Sequence, residues 1–122
     1  MLKELDGDCM PLYVMLRATD KFRDVEGRYP GDGEDLDGDA QKLQTIADAF
    51  IATLPEEARS IDTAKYSKEF TRWGGSELHN IAAFMGGVTA QEVIKVITAQ
   101  LVPVNNTFVF NGMKSTTAVY EM

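Results

Sequence analysis

The 122-residue chain contains one cysteine, Cys9, one histidine, His79, and one tryptophan, Trp73. A single cysteine excludes an internal disulfide framework and accords with a reducing intracellular compartment. Cys9 has no histidine near it in sequence, so a thiol–imidazole pair would need His79 to meet it in space, and nothing in the sequence brings the two together. Basic residues are also scarce. Twelve Lys and Arg face nineteen Asp and Glu, a net charge of -7, and this argues against a nucleic-acid partner, which would call for a clustered basic surface. Long apolar runs are missing too: the longest surrounds Ile81 to Val88 and is broken by Gly86 and Gly87, which reads as too short to span a bilayer. The opening residues, Met1-Leu2-Lys3-Glu4-Leu5-Asp6, lack the apolar core of a signal peptide. These absences lead us to expect a soluble intracellular protein, cytoplasmic or nuclear, with neither nucleic acid nor membrane as partner.

Only four prolines are present, and each falls where an element starts or stops. Pro11 suits a helical first turn, where its missing N–H costs nothing. From there Met15, Ala18, Phe22, Val25 and Tyr29 recur at spacings of three and four, one face of an amphipathic helix that Gly27 and Pro30 close. Residues 30 to 39 form a polar, glycine-rich loop. A second helix is expected next, capped by Asp37 or Asp39, with a stripe of Leu43, Ile46, Ala47, Phe50, Ile51 and Leu54 and a stop at Pro55. A third runs from an Asp62 cap through Tyr66, Phe70 and Trp73 to Gly74-Gly75, glycines suited to a left-handed C-terminal turn. The fourth helix is apolar nearly all round from Leu78 to Val88 and amphipathic from Thr89 on, so its first half is expected to be buried on several sides. Thr89 and Glu92 have capping-box spacing, but a continuous helix is the better reading. Beyond Pro103, Thr107 to Phe110 and Thr116 to Tyr120 read as two strands of a hairpin turning at Asn111-Gly112. A lone hairpin is marginal in water, so these strands call for a larger sheet or helix cover.

Few residues carry chemistry. Counted from Asp35, the acidic loop meets calcium-loop spacing at Asp37 and Asp39, but Ala40 stands where glycine is required and Ile46 where the closing glutamate belongs. A solvated linker is the expected role. The pairs Gly74-Gly75 and Gly86-Gly87 lack phosphate-loop spacing, and no paired-carboxylate or Ser-His-Asp arrangement can be argued. His79 is read as a hydrogen-bonded core or interface residue. What stands out is the small-residue set Ala82, Ala83, Gly86, Gly87 and Ala90 on the fourth helix, which permits close packing against either the chain's own core or a partner.

At this helix a resemblance emerges. Phe84-Met85-Gly86-Gly87-Val88-Thr89-Ala90-Gln91-Glu92-Val93-Ile94-Lys95 resembles the Gly-Gly-x-x-x-Gln-Glu-x-x-Lys helix near the end of the adenylation fold of activating enzymes for ubiquitin and its relatives. Asn105 to Lys114 is similar to the terminal strands of that fold. Leu78 to Phe84, Val14 to Phe22 and Gly27-Arg28-Tyr29-Pro30-Gly31 narrow the resemblance to the family of regulatory subunits of the neddylation activating enzyme, the APP-binding-protein family. The small subunit of the SUMO activating enzyme shares the helix and the hairpin and is the nearest alternative; the Arg28-Tyr29-Pro30 neighbourhood favours the neddylation family over it.

The resemblance implies an α+β chain. Residues 1–75 would be a mainly helical region from the end of the catalytic-cysteine-like domain. Residues 76–122 would be the last helix and strand pair of a degenerate, ThiF/Rossmann-like adenylation fold. It further implies a C-terminal fragment of a longer protein, not an enzyme by itself, that pairs with a catalytic subunit as a heterodimer and meets a ubiquitin-like modifier through the complex. ATP and magnesium would belong to that catalytic partner, with no cofactor, metal or catalytic residue in this chain. An active adenylating enzyme of the same superfamily is the further alternative. The candidates for packing or for a partner interface are Ala83, Gly86, Gly87, Ala90, Gln91, Glu92 and Lys95.

Overall fold

A computed structural model describes residues 9–56, 60–74, 76–113 and 115–121. The first eight residues, Gly75 and Lys114 lie outside them, so the expectations placed there have no structural counterpart. The chain is α+β, with four helices followed by an antiparallel two-stranded hairpin. It divides into two compact units that part between Ser76 and Glu77.

The first unit holds α1 (Met10–Glu26), α2 (Leu36–Ile51) and α3 (Thr63–Trp73). Pro11 stands in the first turn of α1, and Gly27 ends the helix at φ 71°, its N–H donating to the Arg23 carbonyl. The buried face of α1 is Tyr13, Val14, Met15, Ala18 and Phe22, which meets Leu43, Ala47 and Ile51 of α2 in the core. Each of the larger apolar side chains, Val14, Met15, Phe22, Leu43 and Ile51, stabilises the fold by about 1.5–3 kcal/mol relative to exposure. Val25 departs from the expected stripe and is 68% exposed. The core lies over the earlier turns, and Tyr29 falls beyond the helix end, so no described residue buries Val25 on the last turn.

The expected cap of α2 is also corrected. Asp35, rather than Asp37 or Asp39, is the N-cap, its Oδ1 accepting from the Gly38 N–H at 2.9 Å. Asp62 does cap α3, accepting from the Lys65 N–H at 3.2 Å. The face α3 buries, however, is Thr63, Ser67 and Thr71 rather than the aromatic stripe. These small side chains let α3 lie close to α2, and Thr63 Oγ1 ties the two helices by donating to Asp48 Oδ1 at 2.7 Å. Tyr66 and Phe70 are left half-buried on the flank. Trp73 is 60% exposed, its indole N–H donating to Glu69 Oε2 at 3.3 Å.

The second unit holds α4 (His79–Thr98) and the hairpin of β1 (Thr107–Asn111) and β2 (Thr116–Tyr120), in the register Thr107↔Tyr120 to Asn111↔Thr116. The helix runs unbroken through Gly86-Gly87. The Thr89 hydroxyl donates back to the Met85 carbonyl at 2.8 Å and so does not cap a new helix. Asn111 is the last residue of β1, so the turn begins at Gly112; Asn111 Oδ1 accepts from the Met113 N–H at 3.1 Å. Large side chains join helix and hairpin: the Phe84 and Phe110 rings lie 4.3 Å apart, and Ile81 fills the space over Gly112 where a Cβ would stand.

No residue of α4 is buried within this unit, contrary to the expectation for its first half, because the hairpin covers one side only. At 20 residues the helix is also longer than the glycine-broken run suggested, and by length and composition alone it could cross a membrane. The length argument against a bilayer therefore falls.

Candidate functional site: a two-sided helix and a locked turn

A residue advances roughly 100° around an α-helix, which places Ile81, Met85, Val88, Glu92 and Lys95 of α4 along one side. All five are half-buried. The opposite side carries Ala83, Gly86, Gly87 and Ala90, then Ile94 and Ile97, with Gln91 on its flank, and every one of these is exposed. The candidate residues are thus divided between two sides.

On the inner side, Lys95 Nζ donates to Glu92 Oε1 at 2.8 Å, and the other carboxylate oxygen accepts from the Val104 N–H at 2.8 Å. The Lys95 ammonium first, and the Val104 N–H second, hold the Glu92 carboxyl below the usual carboxylate range. Glu92 therefore pins the segment after α4 back onto the helix. Both charges are already engaged, so the Glu-x-x-Lys part of the motif positions backbone and does not present reactive groups.

On the outer side, a Cβ added to Gly86 or Gly87 would meet nothing within 4 Å. Among the described residues of this unit, no backbone makes the close approach that the glycines permit. Ile94 and Ile97, 58% and 76% exposed, extend the same stripe without a charge. Such contiguous apolar surface is uncommon on an isolated soluble chain.

The Gly27 to Gly31 segment has a structural role in the first unit. Arg28 grips Asp39 through both guanidinium nitrogens, Nη1 to Oδ2 at 2.6 Å and Nη2 to Oδ1 at 2.8 Å. Asp39 Oδ2 also accepts from the Gly31 N–H at 3.0 Å. Asp39 is only 2% exposed. The Arg28 hydrogen bonds, helped by the Gly31 N–H, hold its carboxyl below the usual range against the opposing effect of burial. The anchor joins the end of α1 to the start of α2. Gly31, at φ 92°, completes it: a Cβ there would collide with the Thr71 carbonyl, so only glycine lets α3 close on this turn. Pro30 is fully buried beside it. Arg23 stacks on Tyr29, 4.9 Å from the ring centroid, and donates to its hydroxyl at 3.0 Å.

Asp39 is the residue that sequence reasoning misplaced. Its sequence position reads as a loop acid or helix cap, whereas Arg28 occupies the carboxylate that a calcium loop would have used. Arg28 lies beyond the end of α1 and Asp39 within α2, so no periodicity inside one element could have signalled the pair. His79 is exposed at the first position of α4, not a core residue, and lies in a different unit from Cys9. Cys9 is buried at the start of α1.

No family model matches the chain. Among curated proteins it is 45% identical over 113 residues to the NEDD8-activating enzyme E1 regulatory subunit of Gallus gallus, covering 91% of this chain and 21% of that protein. Against the Danio rerio NEDD8-activating enzyme E1 regulatory subunit it is 40% identical over 114 residues, 93% of this chain and 21% of that protein. SUMO-activating enzyme subunit 1 of Mus musculus is 34% identical over 104 residues, 85% of this chain and 28% of that protein. Over about nine tenths of its own length the chain is thus similar to a segment of subunits of activating enzymes for ubiquitin-like modifiers. Within that class its similarity is greater to the NEDD8-activating enzyme E1 regulatory subunits, at 40–45% identity, than to the SUMO-activating enzyme subunit, at 34%. It spans about a fifth of the length of those relatives.

Proposed function

We propose that the chain is part of a non-catalytic regulatory subunit that supports ATP-dependent activation of NEDD8 by a catalytic partner in a heterodimer. The observation that carries this reading is the identity of 40–45% to regulatory subunits over more than nine tenths of the chain, a span that takes in both compact units. In this reading residues 1–75 end the catalytic-cysteine-like region, and residues 76–122 end a pseudo-adenylation fold. ATP and magnesium bind the partner, and the complex works in the cytoplasm or nucleus.

The side chains favour a scaffold role. The charged residues of the Gln-Glu-x-x-Lys helix are used on each other and on the Val104 N–H. The Arg28-Tyr29-Pro30-Gly31 segment is used in locking three helices together. The uncharged outer side of α4, carrying Ala83, Gly86, Gly87 and Ala90, is the part that the rest of the parent subunit or its partner covers.

The test is to express the whole parent protein, tagged, and recover what binds it. The expected result is co-purification of an adenylating subunit, with ATP-dependent thioester formation on NEDD8 only when both subunits are present. Recovery of no adenylating partner, or modifier adenylation by the parent protein alone, overturns the proposal. The 34% identity to a SUMO-activating enzyme subunit motivates one further arm: preferential activation of SUMO over NEDD8 in the same assay would assign the chain to that enzyme instead.

A further inference from the structure

We draw no further inference here: the strongest candidate, the uncharged outer face of α4 from Ala83 to Ile97, is an unpartnered apolar face and nothing in the structure shows what covers it.

Discussion

Replacing Asp39 with asparagine probes the anchor between α1 and α2. Three hydrogen bonds end on this carboxylate, two from Arg28 and one from the Gly31 N–H. Asparagine keeps the side-chain volume and can still accept from Gly31, but it loses the charge and the second acceptor. Breaking a buried ion pair costs about 3–5 kcal/mol when the remaining charge stays trapped. Here the Arg28 side chain is 34% exposed and can rehydrate, which discounts the loss to about 2 kcal/mol. A domain of this size shifts by roughly 4–8 °C per kcal/mol, so the melting temperature should fall by about 8–16 °C. Trp73 is the only tryptophan and sits in the first unit, so its fluorescence during thermal or urea unfolding follows the affected unit. The pH dependence has a definite sign. The folded-state pKa of Asp39 is depressed, so its contribution is present above the unfolded value of about 3.9 and is lost as pH falls through the folded value. Asp39→Asn should therefore be destabilised at neutral pH, and its stability should change less with acidification than that of the parent chain. A loss below about 0.5 kcal/mol, the range of an ordinary surface substitution, would refute the reasoning, as would an unchanged acid dependence.

Other substitutions test the remaining features. Gly31→Ala should destabilise the first unit by at least about 2 kcal/mol in urea titration, because φ 92° and the Thr71 carbonyl both oppose a Cβ. Phe22→Ala should cost about 3–5 kcal/mol, whereas Val25→Ala, on the exposed side of the same helix, should stay within about 0.5 kcal/mol; similar losses for the two would restore the stripe read from periodicity. Glu92→Ala should raise the hydrogen-exchange rate of the Val104 amide and leave that of Leu43 unchanged. An unaltered Val104 rate would show that Glu92 does not hold the 101–106 segment.

Helix periodicity made much of this fold readable. The Met15–Ala18–Phe22 and Leu43–Ala47–Ile51 spacings mark the two core faces, Asp62 marks the start of α3, and the two strand runs mark the hairpin. The misses share a cause: they depend on which neighbour an element meets. The aromatics of α3 look like its buried side, yet close packing on α2 selects Thr63, Ser67 and Thr71. Asp39 looks like an exposed loop acid until α1 and α2 bring Arg28 to it. The motif residues of α4 were legible as a group, but only the helix geometry divides Glu92 and Lys95, turned toward the hairpin, from Ala83, Gly86, Gly87 and Ala90, turned away.

If the chain is part of a regulatory subunit as proposed, the rest of that subunit or its partner covers the open side of α4, and Gly87→Leu tests this directly. In the 122-residue chain a Cβ at this position meets nothing within 4 Å among the described residues, and replacing glycine in a helix should leave stability unchanged or raise it by up to about 1 kcal/mol. In the full-length protein the same change should displace whatever packs there, reducing recovery of the adenylating partner and NEDD8 thioester formation together. Retention of both at the unsubstituted level would contradict the account.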